Sequence, residues 1–425
     1  MPEIDLSPFL PPRRGGRLAR WVSAAEALRA VPDRSRVFLM GNEMLPNRLL
    51  SELDEARDRY TRIELCSASL TSRPDVFAHA GDPFWFLSTH ASPAYEHLWD
   101  TGTVEVVPAR YSDQAALFAP DGPLPCGVAL VQVSPPSPDG RVSLAPSLGG
   151  AAHVARTADL VIAQVNRNVP YTFGAGELDL DEVDLLVEVD DPLPARRRAG
   201  RASPTALEIA SLAAEHVPDG ATIQFGTGAI PDAILANLRA RRALRVHSGL
   251  LSEACIDLHE AGATEGLMVA AEIVTTPRML TWLHRNPAVR MAPAGYTHGA
   301  GVLATLPRFV SLQSTIEVAL DGSCNSEVAS GRLISAPGGA PDFASAASLA
   351  AGGRSIMALP STAGGGAISR VVARIEPPSP VTLPAYLADL IVTENGVAEV
   401  RGLGGARRAD AIRALADEKH RAALV

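Results

Sequence analysis

Cysteine is scarce and scattered in this chain. The 425 residues contain four cysteines, Cys66, Cys126, Cys255 and Cys324, with no CxxC pair and no spacing typical of metal ligands. Disulfide frameworks and zinc sites use closely spaced cysteines, whereas the cytosol keeps isolated thiols reduced. We therefore expect a reducing compartment, no disulfide framework and no metal.

Long apolar runs and blocks of one charge are also missing. No run reaches 18 apolar residues, and the N-terminus has no apolar signal-like segment. We therefore expect a cytoplasmic protein with no membrane contact. The net charge is −9 and is spread along the chain. The one basic cluster, Arg196–Arg198 with Arg201, is interpreted as part of a solvated linker, so nucleic acid is not an expected partner.

The stretch from Thr222 to Leu238 has the pattern of a strand, a glycine turn and a helix. The apolar run Ala221–Phe225 has the length of one buried strand, and Gly226-Thr-Gly228 follows it. Pro231 suits the first turn of a helix, where its missing N–H would be unpaired in any case. Such a turn presents backbone N–H groups at the positive end of a helix, which can hold a phosphate or an oxyanion. A tight turn without a ligand is the alternative.

A second copy of this pattern lies 185 residues earlier. At that offset Gly41 aligns with Gly226 and Pro46 with Pro231. The same offset pairs Val131–Val133 with Ile316–Val318, and small gaps align further segments. Repetition of one offset over several elements indicates an internal duplication. We predict an α/β fold of two similar open α/β domains, residues 1–195 and 203–425, each with a core of parallel strands and covering helices.

Two further loops carry candidate ligand contacts. Asn166 and Asn168 follow the predicted strand Leu160–Val165, and ligands of open α/β sheets collect at that edge. Their amides are expected to hydrogen-bond either a substrate carboxylate or the backbone. Gly338-Gly339 forms a second glycine loop before a predicted helix.

The chain resembles the acetyl-CoA hydrolase/transferase family, which includes 4-hydroxybutyrate CoA-transferase. In that family a glutamate attacks an acyl-CoA thioester, and a second acid finally takes the CoA. The resemblance implies two CoA-transferase-type domains, often in a homodimer, with coenzyme A as a substrate and acetate metabolism as a setting. It assigns CoA contacts to Gly226, Thr227, Gly228, Ala229, Ile230, Gly338 and Gly339. The segments that carry the resemblance are Val131–Gly140, Gln224–Pro231, Ser314–Gly322, Gly338–Phe343, Ser369–Arg370 and Thr393–Gly402.

The sequence departs from the family where the nucleophile is expected. The family segment is of the type His-Thr-Glu-Met-Phe-Ser-Asp-Gly, and here His247-Ser-Gly-Leu-Leu-Ser-Glu-Ala254 matches it. Gly249 therefore stands at the glutamate position, and a glycine cannot attack a thioester. Tyr171 replaces a common arginine, and a common lysine is missing within Ala363–Ala367.

Three other side chains are candidates for the catalytic role. Glu253 could be a substitute nucleophile or simply a carboxylate at a helix start. Glu272 could reach a cleft or be a satisfied residue at a strand end. His247 could act as a base toward water or be structural.

Two classes of function follow. The first is an acyl-CoA-handling enzyme, transferring CoA from a short-chain acyl-CoA to a carboxylic acid or hydrolysing the thioester. The second is a non-catalytic acyl-CoA-binding or partner subunit.

Overall fold

The computed structural model describes residues 4–16, 18–195 and 202–424, which fall into two units. Unit 1 takes in the described residues up to 195 together with Val269–Thr297. Unit 2 takes in residues 202–268 and the described residues from His298 onwards. The basic cluster Arg196–Arg198 with Arg201 lies outside the described residues.

The sheet of unit 1 is formed by eight parallel strands in the order β1-β10-β8-β6-β2-β3-β4-β5, and β7 pairs with β9 in a small antiparallel ribbon. Its central strands β6 and β8 are mostly apolar and buried along nearly their whole length, as expected for a parallel sheet covered on both faces. The strands are β1 (Arg20–Trp21), β2 (Arg36–Leu39), β3 (Ile63–Ser67), β4 (Phe84–Ser88), β5 (Val104–Val106), β6 (Val128–Val133), β7 (Arg141–Ser143), β8 (Leu160–Asn166), β9 (Glu177–Asp179) and β10 (Leu185–Val189).

The later strands begin with the one predicted at the glycine turn. They are β11 (Thr222–Phe225), β12 (Arg245–Leu251), β13 (Met268–Ile273), β14 (Val289–Met291), β15 (Phe309–Ser314), β16 (Glu317–Ala319), β17 (Cys324–Asn325), β18 (Val328–Ala329), β19 (Arg332–Leu333), β20 (Arg354–Ala358), β21 (Thr362–Ala363), β22 (Ile368–Ser369), β23 (Val371–Val372), β24 (Leu390–Thr393) and β25 (Gly396–Glu399). Within unit 2 the main sheet has the order β12-β11-β15-β20-β24-β25, and only β24 and β25 are antiparallel.

The two units repeat one topology, which confirms the predicted duplication. In unit 1 the corresponding order is β3-β2-β6-β8-β10-β1, so five strands match in both position and chain order. The sixth strand differs between the units. In unit 1 it is β1, which comes before the other strands of its sheet in the chain, whereas in unit 2 it is β25, which comes after them. One predicted pairing is wrong: Val131–Val133 lies in β6 of the main sheet, whereas Glu317 and Val318 lie in β16 of a separate three-stranded sheet.

The helices cover these sheets and include both predicted turn helices. They are α1 (Ala24–Leu28), α2 (Asn47–Glu55), α3 (Gln114–Phe118), α4 (Ala151–Thr157), α5 (Pro204–Glu215), α6 (Ala229–Asn237), α7 (Ala254–Glu260), α8 (Pro277–Leu283), α9 (Ala294–Thr297), α10 (Ala300–Leu303), α11 (Ala340–Leu349), α12 (Gly405–Arg413) and α13 (Glu418–Arg421).

The segment Val269–Thr297 joins unit 1, although its position in the chain suggested the second half. Backbone hydrogen bonds attach it there: Leu148 N–H donates to Ala271 O at 2.9 Å, and Ala175 N–H donates to Met291 O at 2.9 Å. The domain boundaries in space therefore differ from a single cut of the chain near residue 200.

Among the described residues, none of the helices combines the length and low polarity that crossing a membrane requires. The four cysteines are buried, with free thiols.

Candidate active site

The carboxyl edge of the unit 2 sheet brings Gly226 and Gly249 side by side. Strands β11 and β12 are parallel neighbours, with Ile223 opposite Val246. Ser248 Oγ donates to Phe225 O at 3.1 Å and accepts from Phe225 N–H at 3.4 Å, which holds the strand ends in register. Gly226 directly follows Phe225 at the end of β11, and Gly249 directly follows Ser248 within β12. Neighbouring strands lie about 4.8 Å apart. The predicted strand Leu244–His247 in fact continues to Leu251, so Gly249 lies within β12.

The turn Gly226–Gly228 is open. Thr227 and Gly228 are exposed, and a Cβ built on Gly228 would meet no heavy atom within 4 Å. Gly228 is the N-cap residue of α6, and its φ of 124° is a backbone conformation that residues other than glycine rarely adopt. The helix it begins is tied to β12 because Ser252 Oγ donates to Asp232 Oδ1 at 2.7 Å. The predicted strand, turn and helix are thus confirmed, with Pro231 in the first helical turn.

A histidine that the sequence reading missed lies against Gly249. A Cβ built on Gly249 would lie 2.7 Å from His298 Nε2 and 3.0 Å from its Cε1. A Cβ built on Gly339 would lie 2.5 Å from His298 Nε2. The imidazole is 3% exposed, and its centroid lies 4.4 Å from that of Phe343 in α11. The structure therefore brings together Gly249, the second glycine loop and one imidazole.

Little in the sequence indicates this contact. His298 lies between the short helices α9 and α10, 49 residues after Gly249. The two glycines are the only local signal, because a ring can approach so closely only where no Cβ stands.

Glu253 and His247 flank this edge. Glu253 is half-buried and occupies the N-cap position of α7, in agreement with the reading of a carboxylate at a helix start. His247 is buried, 4% exposed, within β12.

Glu272 lies in unit 1, in a buried polar cluster. Its carboxylate accepts from Tyr111 Oη and from Asn42 Nδ2, the latter at 3.0 Å. The side chain is 7% exposed, and burial raises the pKa of Glu272 to about 7. Hydrogen bonds from these neighbours oppose that rise. Glu272 is thus a satisfied carboxyl group in strand β13, which was one of its two expected environments.

Asn166 and Asn168 also lie in unit 1, at the end of β8, with their amides bonded to protein groups. Asn166 Nδ2 donates to Gln132 Oε1 at 3.0 Å and to Asp191 O at 2.9 Å. Asn168 Nδ2 donates to Asp190 Oδ1 at 3.0 Å. These bonds hold the loop against the segment after β10.

Asn168 and Tyr171 line a groove of about 610 Å³ in unit 1. The Tyr171 hydroxyl donates to Glu177 Oε1 at 2.7 Å, and the Arg285 guanidinium lies 4.7 Å from the Tyr171 ring centroid. A cation is therefore present beside the position where the family commonly has an arginine.

Comparison with known proteins accounts for this arrangement. The family models described as acetyl-CoA hydrolase/transferase N-terminal and C-terminal domains match residues 18–195 and 276–425. The 4-hydroxybutyrate coenzyme A transferase of Clostridium kluyveri is 30% identical over 95% of this chain and 96% of its own.

Solved structures agree. RipA from Yersinia pestis superposes with a TM-score of 0.88 at 27% identity, covering 95% of this chain and 96% of its own. A 4-hydroxybutyrate CoA-transferase from Porphyromonas gingivalis gives a TM-score of 0.80 at 26% identity, covering 95% of this chain and 96% of its own. The chain belongs to the acetyl-CoA hydrolase/transferase family.

Proposed function

We propose that this protein transfers CoA between a short-chain acyl-CoA and a carboxylic acid, without a glutamyl intermediate at position 249. Relatives that align along most of the chain are named as CoA transferases. The observation that carries the proposal is the open Gly226–Gly228 turn at the carboxyl edge of the sheet, next to Gly249.

The acyl-CoA is proposed to bind along the turn residues Gly226–Ile230 and the loop Gly338-Gly339. The exposed turn leaves space for the thioester, and the N-terminus of α6 favours the oxyanion that forms there. Coenzyme A enters as a substrate, and no metal takes part in the proposal.

A reaction without a carboxylate at 249 needs the acceptor acid itself as nucleophile. Its carboxylate oxygen would attack the thioester carbon, and the C–S bond would break with its electron pair on sulfur. The resulting CoA thiolate would then attack the acceptor carbonyl of the mixed anhydride and release the donor carboxylate. The protein would contribute to such a step by holding the acyl-CoA and the acceptor acid in position.

Hydrolysis is the second candidate, and the His298 imidazole against Gly249 favours it. A third possibility, an acyl-CoA-binding partner subunit without turnover, follows from the same missing glutamate. We also propose a cytoplasmic homodimer, in line with many members of the family; light scattering after gel filtration checks the dimer.

One assay separates these functions. A panel of acyl-CoAs is incubated with the protein, with and without free acids, while thiol release, new acyl-CoA and calorimetric binding are measured. Formation of a new acyl-CoA that depends on the added acid supports transfer. Thiol release without acid indicates hydrolysis, and tight binding without either product indicates a binding subunit. Absence of binding would contradict the proposal.

A further inference from the structure

We propose that His298 is the catalytic base of this site and activates water toward the acyl thioester. The proposal concerns the hydrolysis named above as the second candidate, which competes with transfer when no acceptor acid is bound. It rests on the proposed function in one respect, that acyl-CoA binds at the Gly226–Gly228 turn. It assigns the chemistry lost with the family's glutamate to a residue from a different part of the chain.

The first argument is steric. An ideal Cβ on Gly249 would be 2.7 Å from His298 Nε2, well inside van der Waals contact. The imidazole therefore occupies the space that any side chain at 249 would enter. In this geometry a glutamate at 249 would require the ring of His298 to move.

The second argument is that two separate glycines accommodate the ring. Gly339 also approaches the imidazole so closely that a Cβ would lie 2.5 Å from Nε2 and from Cδ2. Gly339 belongs to the loop that we propose contacts CoA, and Gly249 is the neighbour of the open turn. The ring nitrogen therefore lies against a glycine of the proposed CoA loop as well as against Gly249.

The third argument is the fixed position of the ring. Packing against Phe343 and burial to 3% exposure restrict its rotation, because a side chain in a close-packed interior has few alternative rotamers. Gly249 and Gly339 themselves are only half-buried. A base held just inside such an edge is positioned for proton transfer without a large loss of side-chain entropy.

Water is the co-reactant of the proposed step. His298 Nε2 accepts a proton from water as the water oxygen bonds to the thioester carbon. The tetrahedral oxyanion forms at the α6 N-terminus and collapses. The C–S bond breaks with its electron pair on sulfur, and the imidazolium returns the proton to that sulfur. The products are a carboxylic acid and CoA thiol.

His298→Gln tests this role, because glutamine keeps a polar side chain but cannot accept and return a proton at neutral pH. His259→Gln, on the exposed face of α7, is the matched control. Acetyl-CoA and butyryl-CoA are the probes, without added acid, and kcat, KM, calorimetric Kd and the pH profile are measured. We expect His298→Gln to lower kcat by about 10²- to 10⁴-fold with KM and Kd nearly unchanged.

The pH profile distinguishes a base from a structural residue. In the wild type, kcat/KM should rise with pH through one ionisation, and His298→Gln should lose that rise. Wild-type turnover and an unchanged profile in His298→Gln would overturn the role of His298, as would wild-type binding without thiol release. Both results would leave CoA binding intact. Failure of the wild type to bind either acyl-CoA would instead contradict the proposed function.

Discussion

The two glycine turns of this protein descend from one repeated motif but have opposite surroundings. In unit 1 the turn after β2 is closed: Gly41 is buried, and a Cβ on it would lie 2.4 Å from Ser69 O. In unit 2 the turn after β11 is open: a Cβ on Gly226, the counterpart of Gly41, would meet only Gln313 Oε1, at 3.8 Å, and a Cβ on Gly228 would meet nothing within 4 Å. The aligned glycine thus packs closely against backbone in one unit and has space around it in the other.

The comparison extends to the polar groups nearby. Asn42, next to Gly41, donates to the buried Glu272 within unit 1. Gly226 and Gly249 in unit 2 have no side chains, and an imidazole lies against the second. A shared motif therefore does not identify a binding site by itself. Whether a ligand can bind depends on the space and the side chains around the motif.

Filling the open turn should have the largest effect. Gly228→Trp places a bulky group where the thioester is proposed to lie and should abolish calorimetric CoA binding. Gly266→Trp is the control, because Gly266 also has a positive φ, 77°, and no neighbour within 4 Å of a built Cβ. Unchanged affinity in Gly228→Trp, or equal loss in both variants, would remove the turn from the binding site.

Restoring the glutamate should work only when the imidazole is removed. Gly249 does not adopt a positive φ, so a side chain is compatible with its backbone, but His298 blocks the space. We expect Gly249→Glu alone to transfer CoA no faster than the wild type and Gly249→Glu/His298→Ala to transfer it faster. Equal activity of the single and double variants, in a coupled acyl-CoA assay, would contradict this steric argument.

Substituting the closed turn should reduce stability rather than CoA binding. Gly41→Ala forces Cβ against a backbone carbonyl that accepts from Asn42 N–H at 2.8 Å, so we expect a loss of about 1–3 kcal/mol in free energy of unfolding. Gly301→Ala in α10 has no neighbour within 4 Å and should not destabilise. Denaturant titrations measure the free energy of unfolding of both variants. If Gly41→Ala lost CoA affinity without losing stability, the unit 1 turn would also be a CoA contact, and the contrast between the two turns would be wrong.

Glu272 should give the smallest effect, visible in its pH dependence. The folded-state pKa of about 7 exceeds the ordinary 4.5, so the folded protein holds a proton that the unfolded chain has released. The free energy of unfolding of the wild type should therefore fall as pH rises from about 4.5 to 7, by at most about 3 kcal/mol from this group. Glu272→Gln should lose this slope.

Denaturant titrations at pH 5 and pH 8 measure that difference. The stability of Glu272→Gln relative to the wild type should increase from the lower to the higher pH. The same relative stability at both values would show that Glu272 is not held protonated by its burial.

The sequence predicted the scaffold better than the chemistry. Strand, turn and helix at Thr222–Leu238 follow from local periodicity, and the duplicated sheet follows from the repeat at Gly41 and Gly226. The glycine at 249, where the resemblance implies a glutamate, was also visible in the sequence. The approach of His298 was not, because it depends on packing between residues 49 positions apart.

Glu272 shows the same limit. Its apolar flank predicted a strand, but the partners that bury and satisfy it, Tyr111 and Asn42, come from 161 and 230 residues away. Long-range side-chain contacts of this kind leave no periodic signal in the chain. For that reason the sequence did not predict that Val269–Thr297 belongs to unit 1.

Trapping of covalent adducts tests the central claim, that the open turn works without a nucleophilic carboxylate. The wild type and Gly249→Glu/His298→Ala are incubated with acyl-CoA, treated with hydroxylamine or borohydride, and mapped by mass spectrometry. We predict no adduct on any wild-type carboxylate while CoA is released, and an adduct at position 249 of the double variant. A trapped adduct on a wild-type carboxylate, above all Glu253 or Glu272, would contradict the account and show that the nucleophile has moved.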